Sequence, residues 1–596
     1  MSTLLHGRPW IPHGISSANL RQQLRAPQSS PKSRSLIRIR AQTASTTQKQ
    51  QPASEKARQK PTASLDTTHV AIKTDEPTDP AHVTNGAGSQ GADMEVDSVL
   101  AKELSENGFR STRRTKIICT IGPKSSSTEM LGTLAAGGMN VARLNMSHGD
   151  HEWHKTVINR IRKLNKDNGY SVAIMMDTEG SEVHLHELQQ PHKAEVGEEF
   201  ILTIRNPAVI PGKKGLGVSY EAFVDDVQVG DHVVVDGGMV TLDVLEKAGP
   251  DVRCKVADPG IILSRANLTF RRDGRIVRAR NSMLPVLSSK DWVDIDFAIQ
   301  MDVDFIAVSF VKTADVINNL KSYLSSRCDK VIEIVAKIES HDSVPNAQDI
   351  IEASDGIMIA RGDLGAQIPL EDVPSVQKEI VMRCRQQGKP VIVASHLLQS
   401  MIEYPTPTRA EVADISDVVR QRADALMLSG ESAAGAYPDK AVAVLRAVSG
   451  RIEEWCRQEK YGQIMLPQLA PNADGRVSEE LCASASAMAN NLGASAIFVY
   501  TRRGYMANFL SRCRPDCPIF AFTDQQDVRQ RMNLRWGVMP FRLDFAANPE
   551  ENIEITFKLL KRRDLVKEDD LVVVVSDIRS PDDKSVVRSV QIRRVP

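Results

Sequence analysis

The chain has 596 residues, and its 75 Lys and Arg balance its 75 Asp and Glu. The composition, 41% hydrophobic and 25% charged, is that of a globular protein, and the length predicts about four domains of ~150 residues. No run of about 18 apolar residues is present, which excludes a membrane-spanning helix. Beyond the basic N-terminal region the chain is mildly acidic, which argues against nucleic acid as a partner.

The eight cysteines are scattered along the chain, and this pattern predicts free thiols in a reducing compartment. Only Cys513 and Cys517 lie close together, as CRPDC, and this is not the spacing of a usual zinc knuckle. A redox role for this pair is the alternative that the spacing leaves open.

Residues 1–65 are rich in Ser, Gln, Arg, Thr and Pro, and no acidic residue precedes Glu55. This composition predicts an organellar transit peptide, since a secretory signal would contain a long apolar core. An uncleaved disordered tail is the alternative. Residues 66–112 remain polar and are predicted to form a flexible linker and N-terminal segment, with a short helix at 94–107.

At Thr115 the chain changes to an alternation of apolar strands and amphipathic helices. Residues 113–185 contain three predicted strands, TKIICTIG, NVARLNMS and SVAIMMDT, each ending in polar side chains. Residues 186–285 show short β-rich runs separated by Gly, Pro and Asp, with no helical period, and they predict an inserted small β-barrel domain.

The alternation resumes over residues 286–460. Five more strands are predicted there, at 305–310, 333–339, 356–363, 390–395 and 425–430. Eight strands alternating with helices predict an α/β protein with a (β/α)8 TIM barrel, split into 113–185 and 286–460. Residues 475–596 repeat a shorter strand and helix pattern and predict a C-terminal α/β domain.

The segment from Val331 to Gln367 carries the strongest chemical signal. Its first strand ends with Lys337 and Glu339, and the next predicted strand ends with Gly362 and Asp363. Carboxyl ends of neighbouring parallel strands open into one mouth, so these side chains are predicted to lie together. Two carboxylates beside a lysine indicate Mg²⁺ next to an anionic substrate, although each residue by itself is also typical of a solvated rim.

Several long motifs resemble the pyruvate kinase family, in particular its plastid alpha-type branch. They cover most of the chain from Thr115 onward and comprise MNVARLNMSHG, AKIES, ASDGIMIARGDLG, PTPTRAEVADISDVV and MLSGES. The resemblance implies phosphoryl transfer from phosphoenolpyruvate to ADP, giving pyruvate and ATP. This reaction needs positioning and charge neutralisation more than covalent help from the protein.

The resemblance also implies roles for individual residues. Glu339 and Asp363 match the ligands of Mg²⁺, and Lys337 matches the lysine that stabilises the transferring phosphoryl group and the enolate. Arg143 matches the arginine on the substrate phosphate, for which a planar guanidinium is suited. The N–H groups near Gly362 and Asp363 match those that receive the substrate carboxylate.

Further matches concern K⁺, the nucleotide and the proton donor. The oxygen-bearing residues implied for K⁺ are Asn145, Ser147, Asp177 and Thr178, and Glu182 matches the glutamate of potassium-dependent members. The positions implied near the nucleotide are Asn145, His148 and Pro123. Ser395 stands where the family has the threonine that helps to deliver a proton to the enolpyruvate carbon, and it keeps the hydroxyl without the methyl.

The sequence departs from the family pattern at the loop after the third strand. Glu179 replaces a lysine and His184 an arginine, and the inserted domain reads ILSRANLTFRRDG without the usual Lys-Lys-Gly loop. Reversing a charge near a phosphate is expected to cost roughly 1 kcal/mol or more at an effective dielectric near ~20. Arg265, Arg271 or Arg272 are the candidates to replace the missing nucleotide contacts.

Three functional hypotheses follow. The first is an active pyruvate kinase in the plastid stroma, working as a homo-oligomer or as a hetero-oligomer with a beta-type subunit. The second is a weakly catalytic or regulatory subunit of such an oligomer, which the changes at Glu179 and His184 favour. The third is a Mg²⁺-dependent lyase on the same barrel, since a fold does not by itself determine a reaction.

Overall fold

The computed structural model describes residues 113–180, 183–205, 214–235, 238–262, 264–277, 285–458, 466–546, 548–579 and 586–596. The predicted transit peptide, the linker with its short helix, and Glu182 lie outside these residues. Their predictions stay predictions, as do the domain boundaries.

Eight parallel strands close into a barrel in which each strand pairs with its neighbours in chain order. The strands are β1 (Lys116–Thr120), β2 (Val141–Asn145), β3 (Ala173–Asp177), β13 (Phe305–Val308), β14 (Glu333–Ile338), β15 (Gly356–Ala360), β16 (Val391–Ala394) and β17 (Ala425–Leu428). β17 pairs with β1 to complete the ring. The predicted (β/α)8 fold class is confirmed.

The barrel strands alternate with helices that cover the outside of the ring. These helices are α1 (Thr128–Ala136), α2 (His151–Asn168), α4 (Ser289–Gln300), α5 (Ala314–Arg327), α6 (Ala347–Ala353), α7 (Arg361–Gln367), α8 (Val373–Gln387), α9 (Arg409–Arg420), α10 (Gly430–Ala433) and α11 (Pro438–Gln458). Local sequence explains their starts: Ser288 and Asp291 form a capping box at α4, and Asp150 accepts the Trp153 N–H at α2.

The inserted segment between β3 and α4 is rich in antiparallel strands. They are β4 (His192–Ala194), β5 (Glu199–Thr203), β6 (Gly215–Gly217), β7 (His232–Val235), β8 (Val240–Ala248), β9 (Asp251–Asp258), β10 (Gly260–Ile262), β11 (Leu268–Arg272) and β12 (Arg275–Ile276), with one short helix, α3 (Phe223–Asp226). Seven of these strands form one sheet, in the order β12-β11-β7-β8-β9-β5-β6. Isolated bridges from His184 to Asn267 and from Leu185 to Val218 connect the two ends of this sheet, so it curls on itself.

The C-terminal segment forms a five-stranded sheet in the order β20-β19-β18-β21-β22. Its strands are β18 (Ala496–Tyr500), β19 (Ile519–Thr523), β20 (Val538–Arg542), β21 (Leu571–Arg579) and β22 (Val586–Arg594), and its helices are α12 (Ala473–Leu492), α13 (Tyr505–Cys513), α14 (Gln526–Met532) and α15 (Pro549–Arg562). Only β22 is antiparallel to its neighbour in this sheet. This is the predicted α/β domain.

The C-terminal domain closes the end of the barrel where the strands begin. Leu534 packs with the side chains that fill the barrel interior, such as Phe305 and Met358. Asp424, just before β17, accepts hydrogen bonds from Arg514 at 2.6 Å and from the Trp536 N–H at 3.0 Å. These contacts leave the opposite end, where the strands finish, for a site.

The state of the cysteines and the presence of membrane-spanning helices can be checked in the described residues. All eight cysteines are free, and burial raises the pKa of Cys513 to about 11 and of Cys517 to about 12. Such thiols are poor nucleophiles, which argues against the redox alternative. Within the same part of the chain, no helix is both long and apolar enough to cross a membrane.

We expect Asp424→Ala to destabilise the protein by about 3–5 kcal/mol, because it leaves the buried Arg514 guanidinium without its carboxylate. Glu554→Ala, which removes an exposed pair with Lys558, is the control and should change stability by less than about 1 kcal/mol. Urea unfolding followed by circular dichroism measures both. Equal midpoints for the two variants would contradict the role given to Asp424.

Candidate active site

A buried carboxylate lies between two cations at the carboxyl end of the barrel strands. Asp177, the last residue of β3, is fully buried, and its Oδ2 accepts a hydrogen bond from Arg143 Nε at 2.6 Å. Its Oδ1 lies 3.4 Å from Lys337 Nζ. Burial opposes the charged form of Asp177, but Arg143 and Lys337 together hold its pKa below the ordinary value. One anion therefore holds two cations at the same end of the barrel.

Lys337 is surrounded by oxygen atoms. Its Nζ donates a hydrogen bond to Ser309 Oγ at 2.8 Å and lies 3.2 Å from Glu339 Oε2. Burial alone would lower the pKa of Lys337, but Asp177 and Glu339 outweigh it and raise the pKa above the ordinary value. The ammonium group is therefore charged and held in position, as a phosphate-stabilising lysine must be.

Glu339 is fully buried and only half satisfied. Its Oε1 accepts the Phe310 N–H at 2.6 Å, whereas no hydrogen bond reaches Oε2. Burial is the main cause that raises the pKa of Glu339 to about 7, against the opposing charge of Lys337. A buried carboxylate oxygen with free lone pairs has the chemistry of a ligand for a hard cation.

The structure brings Asp363 close to Glu339. β14 and β15 are neighbours, and β15 runs directly into α7, which contains Gly362 and Asp363. The negative charge of Asp363 also contributes to the raised pKa of Glu339. In the described residues, no group of three or more His, Cys, Asp or Glu side chains is arranged to hold a metal ion. A carboxylate pair of this kind suits Mg²⁺ only if substrate oxygens complete its coordination.

Ser395 lies beside Gly362 in a backbone conformation that is rare for serine. Its φ is +71°, and a Cβ placed on Gly362 would lie 3.4 Å from Ser395 Cβ. Arg361 holds this turn, since its guanidinium donates to the Ser395 carbonyl at 2.8 and 3.2 Å. The same guanidinium forms a bidentate pair with Asp414 at 2.7 and 2.8 Å.

The residues implied for K⁺ lie at the ends of β2 and β3. Asn145 is in register with Asp177, and its Oδ1 accepts the Ser147 N–H at 3.2 Å. Thr178 follows Asp177, and its Oγ1 accepts the Ser309 N–H at 3.1 Å. All four carry side-chain oxygen atoms, the ligand type that a hard monovalent cation prefers. Glu182, which the resemblance links to potassium dependence, is outside the described residues.

The positions implied for the nucleotide lie on the rim of the mouth. Pro123 is exposed and His148 is partly accessible to solvent, in the loops after β1 and β2. Partial burial, followed by the positive charges of Arg265 and Arg143, lowers the pKa of His148. His148 therefore lies in a region of positive potential.

Glu179, the charge reversal in the family pattern, is paired in the structure. Its Oε1 forms an ion pair with Arg265 of the inserted domain and lies 3.3 Å from His184 Nε2. Its Oε2 lies 3.3 Å from Lys290 Nζ. The extra negative charge of Glu179 is thus matched by cations of this chain.

Sequence reasoning did not identify Ser309, Arg361 or Asp414 as parts of the site. Ser309 follows β13 directly, and the polar position after a barrel strand was the signal that could have indicated it. Arg361 lies within the strand predicted at 356–363, but that prediction was wrong at its end, because the strand stops at Ala360 and residues 361–367 form α7. Its bidentate partner Asp414 belongs to α9, and no sequence pattern connects the two.

A carboxylate pair and a charged lysine at the mouth of a split barrel are the features of a (β/α)8 enzyme with an anionic substrate. Residues 112–442 match the family model described as the barrel domain of pyruvate kinase, and residues 479–586 match the model of its alpha/beta domain. The chain therefore belongs to the pyruvate kinase family. It is an enzyme that transfers a phosphoryl group from phosphoenolpyruvate to ADP.

Plant plastid enzymes are among its most similar relatives. The chain is 59% identical to pyruvate kinase isozyme A, chloroplastic, of Ricinus communis, over 85% of this chain and 86% of the relative. It is 58% identical to the isozyme A of Nicotiana tabacum, over 85% of each chain. It is 44% identical to isozyme G, chloroplastic, of Nicotiana tabacum, over 79% of this chain and 82% of the relative. The comparisons favour the active kinase over the regulatory subunit and the lyase.

Ser309→Ala should lower kcat roughly 10-fold or more, because Lys337 loses a charge-assisted hydrogen bond worth about 1.5–3 kcal/mol. Steady-state pyruvate formation measures this effect. Ser326→Ala, an exposed serine at the end of α5, is the control and should keep normal turnover. Normal turnover of Ser309→Ala would mean that Asp177 and Glu339 position Lys337 without it.

Proposed function

We propose that phosphoryl transfer takes place at the mouth formed by Arg143, Asp177, Lys337, Glu339 and Asp363. The observation that carries this proposal is the position of Lys337 Nζ, which Ser309, Glu339 and Asp177 surround within 3.4 Å. A fixed positive charge at this point stabilises the transferring phosphoryl group and the enolate that it leaves.

Arg143 is the second phosphate-binding residue of the proposal. Nε and Nη1 of its guanidinium donate to Asp177 and to Thr120, so the remaining N–H groups keep a defined direction. The N–H groups of Gly362 and Asp363, at the start of α7, receive the substrate carboxylate in this arrangement. Substrate would then be held at both of its anionic ends.

Ser395 is proposed to help deliver a proton to the enolpyruvate carbon through its Oγ. The close approach of Ser395 Cβ to Gly362 and the hydrogen bonds from Arg361 to the Ser395 carbonyl support this role. The left-handed backbone at Ser395 supports a role at the site, since strained conformations often persist where function requires them.

We propose that Glu339 and Asp363 hold Mg²⁺. The buried Oε2 of Glu339, which accepts no hydrogen bond and lies 3.2 Å from Lys337 Nζ, supports this assignment. The ion would supply positive charge to substrate oxygens at the mouth. Asn145, Ser147, Asp177 and Thr178 are proposed for K⁺ on their oxygen donors. Asn145, His148 and Pro123, at the mouth of the barrel, are proposed to bind ADP.

The proposal extends to location and assembly. The chloroplastic enzymes that the chain resembles support action in the plastid stroma. The resemblance to isozyme G, in addition to isozyme A, is compatible with an oligomer that contains a beta-type subunit. Assembly of copies of this chain alone is the other possibility, and activity measurements can separate the two.

The chain on its own should form pyruvate from phosphoenolpyruvate, ADP, Mg²⁺ and K⁺, and Lys337→Met should lower turnover by roughly 10³-fold. Lys558→Met, on an exposed helix face, is the control and should turn over normally. Circular dichroism checks that the fold of each variant is kept. Near-normal turnover of Lys337→Met would remove the role of this lysine, and activity only with a beta-type subunit would support the regulatory hypothesis.

Glu339→Gln and Asp363→Asn should each raise the Mg²⁺ concentration for half-maximal activity by about 10–100-fold, since each removes a ligand charge. Glu352→Gln, in an exposed position of α6, serves as the control. The measurement is a Mg²⁺ titration of initial rates at saturating substrates. A titration unchanged by either substitution would show that the carboxylate pair does not hold the ion.

A further inference from the structure

Two arginines at the junction of the barrel and the C-terminal domain lack a partner for their charge. Arg385, in the last turn of α8, is only 6% exposed, and its buried Nε has no hydrogen-bond partner. Arg422, in the turn before β17, is partly buried. Among the described residues, neither guanidinium takes part in a hydrogen bond or an ion pair. Buried charges are normally paired, because an unpaired one is strongly unfavourable.

Both unpaired arginines lie against one short segment of the C-terminal domain. Arg512 Nη2 donates a hydrogen bond to the carbonyl of Gln386, the residue after Arg385, at 2.7 Å. Two residues further along the chain, Arg514 Nη2 donates to the Arg422 carbonyl at 3.3 Å. This segment therefore connects the end of α8 to the turn before β17, and it places the two unpaired arginines on the same side of the junction.

The carboxylates around the junction have other partners. Asp424 forms an ion pair with Arg514 at 2.6 Å. The two oxygens of Glu453 accept the backbone N–H groups of residues 114 and 115, at 2.8 and 2.7 Å. Asp516 acts on Arg422 through its charge and forms no ion pair with it in the described part of the chain. The protein thus leaves the two unpaired arginines available for an anion from solution.

A cleft of about 310 Å³ opens at this junction. Its lining includes the cations Arg114, Arg422 and Arg457, the acids Glu453 and Asp516, and the ring of Trp536. The guanidinium of Arg114 lies 5.6 Å from the centre of that ring, and the guanidinium of Arg514 lies 5.1 Å from it. A volume at the lower end of the range for ligand sites indicates a small ligand.

The charges of the junction indicate the class of this ligand. Five arginines (114, 385, 422, 457 and 514) meet three carboxylates (424, 453 and 516). Burial, followed by the charges of Arg514 and Arg422, lowers the pKa of Arg385 to about 9. Guanidinium groups match the oxygens of carboxylates and phosphates. Several of them around one cleft favour a tetrahedral oxyanion with two negative charges over a planar group with one.

We propose that this junction binds the dianion of a phosphate group, free or in a small ester, and that Arg385 and Arg422 are its ligands. The anion supplies the negative charge that these two arginines lack in the protein. It also bridges α8 and the turn before β17, so bound phosphate should stabilise the contact between the barrel and the C-terminal domain. The site is independent of the active site proposed above, which lies at the opposite end of the barrel strands.

Calorimetric titration of the full-length protein with inorganic phosphate tests the proposal. Arg385→Met and Arg422→Met should each weaken binding about tenfold, because each removes a charged hydrogen-bond donor. Arg451→Met removes an exposed arginine of α11 and is the control, with normal binding expected. Binding that persists in Lys337→Met belongs to the junction. Loss of all phosphate binding in Lys337→Met would assign the anion to the active site and overturn the proposal.

Thermal unfolding in the Lys337→Met background separates binding from a structural role. Without phosphate, adding Arg385→Met should leave the midpoint unchanged or raise it, because the change removes a buried charge that has no partner. Phosphate should raise the midpoint with Arg451→Met and leave it nearly unchanged with Arg385→Met. A midpoint lowered by Arg385→Met without phosphate, or an equal rise with phosphate for both variants, would contradict the proposal.

Glycerol 3-phosphate distinguishes a free phosphate from an ester. Tighter binding of glycerol 3-phosphate than of inorganic phosphate would identify an ester whose organic part lies in the cleft, and the reverse order would identify free phosphate. Acetate, a planar group with one charge, should bind at least about tenfold more weakly than either. Acetate binding as tight as that of phosphate would overturn the assignment to a phosphate group.

Discussion

The carboxylate of Asp177 balances the charges at the barrel mouth. Arg143 and Lys337 repel each other, and the charge of Arg143 opposes the charged form of Lys337, so an anion between them stabilises both. Asp177 contacts both, and its own burial is offset by them. The residue after it, Thr178, bonds Ser309, and Ser309 in turn bonds Lys337. The position of the central lysine thus depends on the end of β3.

The same strand end starts the inserted domain, and this links the site to the fold. Gly180, with φ of +80°, turns the chain away from the barrel while it packs against Ser309. The C-terminal domain closes the opposite end with Leu534 and Arg514, far along the strands from the lysine. The contacts that close the barrel and the proposed site therefore lie at opposite ends of the same strands, as is usual for this barrel.

The apolar strands, their order and the polar residues at their ends were predictable from sequence, because a parallel strand buried on both faces has a strong local pattern. Lys337 and Glu339 could be placed at the mouth for the same reason. The ion pair between Arg361 and Asp414 could not be predicted. It joins α7 to α9, and no sequence periodicity indicates that these two side chains meet. No glycine or proline next to Ser395 indicates the strained turn at this residue. The Lys-to-Glu change at 179 was visible in the sequence, but its pairing with Arg265 was not, because the two residues are 86 positions apart in the chain.

The pair of Glu179 and Arg265 shows why a charge reversal in a motif cannot be evaluated by itself. The electrostatic energy of a site depends on where charges lie in space, and a cation contributed by another segment can restore the balance that a substitution removes. Here the restoring cation belongs to the inserted domain, while the anion belongs to the barrel. The charge balance at the rim is therefore tied to the position of that domain over the mouth. Asn267 and Arg271 add contacts between the same two parts, to Asp363 and to Ala366, so the domain meets the site at three points. A departure from the family motif has thus become a contact that joins the inserted domain to the barrel at its mouth.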